Sequence, residues 1–173
     1  MCSKEPLMIG EMRVADLEEV MAIERTAFPS PWTGHMFLEE LRMRLAVNLT
    51  ARLAGRIVGY INFWLVADEV HILHIAVRRD LRRCGIASEL MRALMARARQ
   101  HGVARATLEV RRSNAAAQAF YKCFGFTVAG VRRHYYSDTG EDALIMWAAV
   151  TPTADEMPAW QLRMERQDDT GEE

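Results

Sequence analysis

The feature that most constrains the fold is an apolar segment that passes through a basic turn into a long amphipathic segment. Residues 75–77 are apolar, the turn after them contains Gly85, and residues 85–101 have the periodicity of a helix. Apolar side chains recur on one face of this predicted helix, at Ile86, Leu90, Ala93, Leu94 and Ala98. The pattern therefore predicts a strand that leads through a tight turn into a helix with one apolar face.

Strand and helix patterns alternate along the rest of the chain. Seven segments are predicted strands: residues 7–13, 47–53, 57–66, 71–77, 106–110, 126–133 and 143–150. Four are predicted helices: one that Asp16 would cap and that ends before Phe28, one that Thr33 would cap, residues 85–101, and residues 113–123. The β-α-β-α order in the middle requires at least one parallel strand pair with a right-handed crossover. We therefore predict an α/β (α+β) fold with a mixed central sheet of about seven strands and about four helices.

The turn before the long helix has the chemistry of an anion site. The first backbone N–H groups of a helix have no partner within the helix and lie at the positive end of its dipole. Gly85 allows close approach of the backbone to a ligand, and Arg82 and Arg83 add positive charge. The G-x-x-x-x-G-K-S/T and G-x-G-x-x-G phosphate loops are both absent. The turn is thus a candidate pyrophosphate site, and the alternative is a solvated basic turn.

Composition restricts the setting in which the protein works. A chain of 173 residues fits one domain, predicted at residues 1–150, followed by an acidic and flexible tail at residues 151–173. The three cysteines, Cys2, Cys84 and Cys123, are too scattered for a disulfide framework or a zinc site, which favours a reducing, cytoplasmic compartment. Residues 1–6 lack the apolar segment of a secretory signal, and no apolar run approaches the roughly 20 residues that span a bilayer. The net charge of −1 argues against bulk nucleic-acid binding, so we expect no direct nucleic-acid partner. We also expect no membrane partner, and the oligomeric state stays open, with a monomer favoured.

Four sequence blocks carry a resemblance to a known family. The turn Arg82-x-x-Gly85-x-Ala87 resembles the Q/R-x-x-G-x-G/A loop of the GCN5-related N-acetyltransferases, the GNAT superfamily. Three further blocks resemble the RimI-type protein N-acetyltransferases of that superfamily. They are residues 108–126 (with LEVR, SNAAA and FYKCFGF), residues 132–143 (with RRHYY and EDA) and residues 27–32 (AFPSPW). The resemblance covers about residues 7–150 in order.

The resemblance implies the GNAT fold, whose sheet splays between strands 4 and 5, and acetyl-CoA as the co-substrate without a metal. In that family the strand backbone pairs with the pantetheine arm, and one N–H polarises the thioester carbonyl. The residues implied in acetyl-CoA binding are Ile75, Ala76, Val77, Arg82, Arg83, Cys84, Gly85, Ile86, Ala87, Ser88 and Asn114. The alternative for Asn114 is that it belongs to the N-terminus of a helix and does not bind acetyl-CoA. Arg82 stands where glutamine is commoner, and Cys84 where a polar or basic residue is usual.

Two side chains are candidates for proton transfer. Acetyl transfer from a thioester to an amine requires a neutral amine and a proton for the departing thiolate. Glu109, within an apolar strand, is the candidate base unless it is merely a surface glutamate, and Tyr121 is the candidate acid unless it only packs in the core. The resemblance implies the catalytic role for both. His74, which precedes the pantetheine strand, is a possible relay or alternative base.

The resemblance also implies the acceptor, a free α-amino group at a protein N-terminus. For RimI-type enzymes this is the N-terminal alanine of a small-subunit ribosomal protein, which makes such a protein the expected partner. Phe28, Pro29, Tyr135 and Tyr136 would line the acceptor channel, although the two tyrosines could be an ordinary hairpin pair. Two other functions remain open. One is acetylation of a lysine side chain or a small amine, and the other is a non-catalytic acyl-CoA-binding module, which the presence of a base and an acid disfavours.

Overall fold

A computed structural model describes residues 6–150 of the protein, so the predicted tail at residues 151–173 lies outside the described residues. The seven predicted strands and four predicted helices are all present, with ends shifted by a few residues. In chain order they are β1 (Met8–Glu11), α1 (Leu17–Ala27), α2 (Gly34–Arg42), β2 (Ala46–Leu53), β3 (Arg56–Val66), β4 (Glu69–Val77), α3 (Ile86–Gln100), β5 (Arg105–Arg111), α4 (Ala115–Lys122), β6 (Thr127–Tyr136) and β7 (Glu141–Ala149). In this part of the chain no helix combines the length and the apolar character needed to cross a bilayer.

The strands form one mixed sheet in the order β1-β2-β3-β4-β5-β7-β6. β4 and β5 are parallel and α3 connects them, whereas every other neighbouring pair is antiparallel. The predicted fold class is therefore confirmed. The parallel pairing joins only residues 69–72 of β4 to residues 105–108 of β5. Beyond these residues the two strands diverge, and the sheet has an opening at its centre.

Helices cover both faces of the sheet and bury two apolar clusters. On one face α3 packs against β3 and β4, with Leu90, Met91 and Leu94 fully buried. On the other face α1 and α2 bury Val20 and Phe37. Each such side chain contributes about 1.5–3 kcal/mol by leaving water. The central opening is therefore flanked by α3 on one side of the sheet and by α1 and α2 on the other.

The two predicted helix caps have different outcomes. Thr33 caps α2 as predicted, because its hydroxyl accepts a hydrogen bond from the Met36 N–H. The prediction for Asp16 is wrong, since its side chain makes no capping bond to α1. A short 3-10 turn at Val14–Asp16 comes first, and the Asp16 carboxylate accepts the Arg13 N–H and pairs with Arg52 of β2. Asp16 thus joins the start of α1 to the sheet.

Candidate active site

A cavity of about 860 Å³ occupies the opening between β4 and β5. Its lining comes from segments that are far apart in the chain: the α1–α2 loop, the end of β4, the turn before α3, the end of β5, α4 and the end of β6. Residues 73–77 of β4 have no ladder partner on the β5 side among the described residues. This part of β4 includes Ile75, Ala76 and Val77, which all line the cavity. The strand edge predicted to meet pantetheine is therefore open to the cavity.

The predicted anion site lies at one end of this cavity. Gly85 has a left-handed backbone (φ +82°), as does Arg83 (φ +65°), and α3 begins at the next residue, Ile86. The Arg82 Nε donates to the Val77 carbonyl oxygen at 3.4 Å, which ties the turn to the end of β4. The first turn of α3 is thus held with its N–H groups next to the cavity, as anion binding requires.

Most of the predicted loop residues line the cavity, and one does not. Those that do are Arg82, Arg83, Gly85, Ile86, Ala87 and Ser88. Cys84 is absent from the lining; it is partly buried and packs against the core beneath α3. Among residues 6–150 neither Arg82 nor Arg83 takes part in an ion pair with a carboxylate. Their positive charges are therefore available to an anionic ligand.

Glu109 lies on β5 at the cavity wall, on the sheet face that α1 and α2 cover. Its neighbours Leu108 and Val110 are buried in the opposite cluster, and side chains alternate along a strand. The Glu109 Oε1 accepts a hydrogen bond from Arg132 Nη1 at 2.9 Å, and the side chain is 31% exposed. Arg132 in turn lies over the Tyr135 ring, with its guanidinium carbon 5.0 Å from the ring centre. The candidate base is thus oriented by β6 rather than free in solvent.

Tyr121 is buried on α4 and also lines the cavity. Its ring packs between Phe120 and Phe126, with centroid distances of 5.4 Å and 5.8 Å. Burial raises the pKa of the Tyr121 hydroxyl above its usual value, and the nearby Tyr136 adds to the effect. The hydroxyl therefore keeps its proton at neutral pH. Core packing and contact with the cavity coexist in this side chain.

Asn114 combines both of the roles considered for it. Its Oδ1 accepts a hydrogen bond from the Ala117 N–H at 3.1 Å, so it caps α4. Asn114 also lines the cavity, close in sequence to the end of β5. Because the cap uses only the oxygen of the side-chain amide, the NH₂ group keeps its two hydrogens for other partners.

The cavity lining also includes the residues predicted for the acceptor channel, most of which are aromatic. These residues are Phe28, Pro29, Tyr135 and Tyr136. The two tyrosine rings are perpendicular, with centroids 5.2 Å apart. The Ser30 hydroxyl donates to Asp138 Oδ2 at 3.2 Å, which joins the α1–α2 loop to the β6–β7 turn.

Arg111 fixes the tyrosine side of this channel. Its guanidinium carbon is 3.9 Å from the centre of the Tyr136 ring, and it donates to Asp138 Oδ2 at 2.6 Å and to Glu141 Oε2 at 3.3 Å. Hydrogen bonding to Ser113 and, to a lesser degree, to Arg111 holds the pKa of Glu141 below its usual range. Sequence reasoning missed this role of Arg111, although the residue lies in the same block as Glu109.

A second group that sequence reasoning missed lies behind His74. Glu24 of α1 is fully buried, and its carboxylate accepts the hydroxyl of Tyr60 and, at 2.8 Å, the main-chain N–H of Trp32. The Nδ1 of His74 lies 3.1 Å from Glu24 Oε1. The sequence does indicate that Glu24 is buried, because its spacing after Leu17 and Val20 places the carboxylate on the buried face of a predicted helix.

Within residues 6–150, no three side chains of the His, Cys, Asp or Glu type come together as a metal site would require. The chemistry available in the cavity is therefore that of an anion site, an open strand edge, a carboxylate, a phenol and an imidazole. Such a set of groups can support acyl transfer.

Comparison with known proteins identifies the family to which the chain belongs. The profile of the acetyltransferase (GNAT) family matches residues 17–126. The ribosomal protein bS18-alanine N-acetyltransferase of Escherichia coli (strain K12) is 36% identical over 140 residues, which cover 80% of this chain and 94% of the relative. An N-alpha-acetyltransferase of Sulfurisphaera tokodaii is 33% identical over 153 residues, which cover 81% and 91%.

A solved structure supports the same conclusion. The crystal structure of the ribosomal-protein-S18-alanine N-acetyltransferase from Escherichia coli superposes with a TM-score of 0.78 at 32% identity. The match covers 88% of this chain and 99% of that one. The chain therefore belongs to the acetyltransferase (GNAT) family.

Proposed function

We propose that this chain transfers the acetyl group of acetyl-CoA to the free α-amino group of a protein N-terminus, and that the acceptor is the N-terminal alanine of a small-subunit ribosomal protein. The observation that carries the proposal is the central cavity, where an anion site, an open strand edge, a carboxylate and a phenol surround one space. The relatives named above supply the acceptor class. Such an acceptor also implies a cytoplasmic enzyme.

The residues present fit acetyl-CoA. A pyrophosphate is an anion that suits the N-terminus of α3, with Arg82 and Arg83 beside it. The pantetheine arm contains amide groups, for which the open edge of residues 75–77 and the Asn114 amide offer donors and acceptors. An N–H of that strand edge would polarise the thioester carbonyl. No metal is needed for this chemistry.

Two side chains have the proposed proton-transfer roles. Glu109 accepts a proton from the acceptor nitrogen, and Tyr121 donates its proton to the departing sulfur. Phe28, Pro29, Tyr135 and Tyr136 hold the first residues of the acceptor. The hydrogen bond between Ser30 and Asp138 supports this proposal, because it holds the loop of Phe28 and Pro29 next to the turn that follows Tyr135 and Tyr136.

The experiment measures thiol release from acetyl-CoA with three peptides of equal length. The first begins with a free alanine, the second with a free serine, and the third is blocked at its N-terminus and contains lysine. We expect turnover of the free N-termini only, with alanine preferred by about tenfold, in the range for discrimination of one small group. Turnover of the blocked peptide would instead assign lysine acetylation. Binding of acetyl-CoA with no turnover of any peptide would favour a small-molecule acceptor or a non-catalytic module.

The Glu109→Gln variant separates an enzyme from a binding module. We expect kcat on the alanine peptide to fall by about 10²-fold, because one proton acceptor is lost, while the Kd for acetyl-CoA stays the same. The amide retains the size of the carboxylate and can still contact Arg132. An unchanged kcat would remove Glu109 from the mechanism.

A further inference from the structure

We propose that His74, oriented by Glu24, is a second proton acceptor and takes the first proton from the ammonium of the acceptor. The proposal rests on the function proposed above and adds a catalytic residue to Glu109 and Tyr121. It assigns a purpose to the buried carboxylate of Glu24, which the mechanism so far does not use. Glu24 would act only through His74 and is a positioning residue.

The ring of His74 is held in one orientation. It lies between the rings of Phe28 and Trp32, whose centroids are 4.3 Å and 4.2 Å from its own, with interplanar angles of 25° and 29°. Its Nδ1 is 3.1 Å from Glu24 Oε1 and 3.3 Å from Glu24 Oε2. Both faces and the Nδ1 edge of the ring are therefore occupied, which leaves the Nε2 edge for the cavity that His74 lines.

The hydrogen bonds of Glu24 determine which ring nitrogen is basic. An ionised carboxylate can only accept hydrogen bonds, and the partners of Glu24 are Tyr60, the Trp32 N–H and His74. With an ionised carboxylate as its partner, the Nδ1 of His74 carries the hydrogen, and Nε2 of the neutral ring has the free lone pair. A carboxylate in this position also stabilises the imidazolium that forms when Nε2 takes a proton.

His74 and Glu109 stand on the two strands that diverge at the opening. His74 pairs with Asn62 in the ladder of β3 and β4, two residues beyond the last β4 residue that pairs with β5. Glu109 directly follows the last β5 residue that pairs with β4. Both side chains are on the sheet face covered by α1 and α2, which is also the face of the acceptor channel. An acceptor amine that enters this channel therefore approaches both groups.

The other titratable groups near the His74 ring are few. Glu24 comes from α1, Tyr60 comes from β3 and contacts the same carboxylate, and the α1–α2 loop contributes only the rings of Phe28 and Trp32. The remaining titratable side chains of the cavity lining are Arg82, Arg83, Glu109, Arg111, Tyr121, Tyr135 and Tyr136. No cationic side chain of the described residues is bonded to Glu24 or His74. The cations that share the cavity therefore act on the dyad only through space and form no ion pair with Glu24.

The reaction requires that two protons leave the acceptor nitrogen. The amine enters as an ammonium with three hydrogens and leaves as an amide with one. The Nε2 of His74 takes the first proton and later releases it to solvent. The neutral amine then attacks the thioester carbon, so that the N–C bond forms, the C–S bond breaks, and Glu109 takes the second proton. Tyr121 gives its proton to the sulfur and regains one from Glu109, which restores both side chains.

The order of the two acceptors follows from their basicity. An α-ammonium has a pKa of about 8, an imidazole about 6.5 and a carboxylic acid about 4.3 in ordinary surroundings. Imidazole is therefore the better match for the ammonium. The nitrogen becomes far more acidic once it has bonded to the carbonyl carbon, and a carboxylate is then a sufficient base.

The test compares the wild type with His74→Gln on the alanine peptide between pH 6 and pH 9.5. At pH 6.5 we expect kcat/KM of the variant to fall by about 10²-fold, a usual contribution of a positioned base. At pH 9 the deficit should shrink to below about fivefold, because most of the amine is then neutral without a catalyst. A merely structural role would lower the rate by the same factor at every pH, and that result would overturn the proposal.

A matched control lies on the same strand. His71 of β4 is also bonded to a glutamate, with 3.1 Å between its Nε2 and Glu69 Oε2, but it is not part of the cavity lining. His71→Gln should leave kcat/KM unchanged across the pH range. Glu24→Gln is the second variant, and its deficit should be smaller than that of His74→Gln but should have the same pH dependence. Retained acetyl-CoA affinity verifies that each variant is folded.

A second peptide substrate distinguishes a lost proton acceptor from a folding defect of the variant. A peptide that begins with an aminooxyacetyl group presents a nucleophile that is already neutral at pH 6.5. With this acceptor the deficit of His74→Gln and of Glu24→Gln at pH 6.5 should disappear, whereas that of Glu109→Gln should remain. If the deficit of His74→Gln persists with this peptide, His74 does not take the first proton from the ammonium. A wild type that acetylates no free N-terminus would refute the proposed function itself, which is a different result.

Discussion

At the scale of single residues, each proposed proton-transfer group is held in place by neighbouring side chains. Glu109 on β5 is bonded to Arg132 of β6, His74 on β4 to Glu24 of α1, and Tyr121 is enclosed by the rings of α4 and the segment after it. These contacts fix the orientation of the groups before a substrate arrives. Pre-organised groups of this kind can contribute more to the rate than mobile ones.

Tyr121→Phe tests the proposed acid at this scale. We expect kcat on the alanine peptide to fall by about 10²-fold, since the thiolate must then leave without a positioned proton donor. The Kd for acetyl-CoA and the thermal midpoint at pH 7 should not change, because the ring keeps its contacts with Phe120 and Phe126. Steady-state kinetics and calorimetric binding measure both. A variant with normal kcat would assign Tyr121 to core packing alone.

The limits of the sequence are also clearest at single residues. The order of strands and helices predicts that several site residues surround one cavity, because the end of a strand and the N-terminus of the next helix must be adjacent. These residues are Glu109, Tyr121 and the turn at residues 82–88. The pairs between Glu109 and Arg132 and between Ser30 and Asp138 could not be predicted. They join side chains 23 and 108 residues apart, whose approach depends on loop geometry and not on periodicity.

At the scale of elements, the site depends on how closely α3 approaches the sheet. An added Cβ at Gly59 of β3 would be 2.9 Å from the Ala76 carbonyl oxygen and 3.3 Å from both Ile86 and Leu90 of α3. Because Ile86 is the first residue of α3 and Ala76 belongs to the open edge of β4, the same close contact positions both parts of the proposed acetyl-CoA site. A glycine at this position is therefore required by packing.

Gly59→Ala should destabilise the protein by about 1–3 kcal/mol, the usual cost of overpacking a core. It should also weaken acetyl-CoA binding, because the start of α3 must move away from β4. Gly10→Ala on β1 is the matched control, since an added Cβ there meets nothing within 4 Å, and its effect should stay within about 0.5 kcal/mol. Urea unfolding and calorimetric binding give the two quantities. Equal stability of the two variants would contradict the packing argument.

At the scale of the whole molecule, the stability of the fold is linked to pH through Tyr121, which is buried, and Tyr136, which is partly buried. Burial raises the pKa of Tyr121, and burial also raises the pKa of Tyr136 to about 12 even though Arg111 opposes it. An unfolded chain has tyrosine pKa values of about 10. Below pH 10 both states keep these protons, and the stabilising contribution is fully present. Above pH 10 the unfolded chain releases protons that the folded chain retains, so the free energy of unfolding must fall as pH rises.

We therefore expect the thermal midpoint to decrease progressively between about pH 10 and pH 12, the window bounded by the unfolded value and the pKa of Tyr136. The Tyr121→Phe variant keeps the ring but has no hydroxyl to titrate at this position. Its thermal midpoint should therefore decrease less steeply than that of the wild type above pH 10. Below pH 9 the difference between the two midpoints should be constant. Calorimetric scans of both proteins from pH 7 to pH 11 measure this difference. Parallel decreases in the two proteins would show that burial of Tyr121 does not contribute to the alkaline transition, and that other groups of the fold control it.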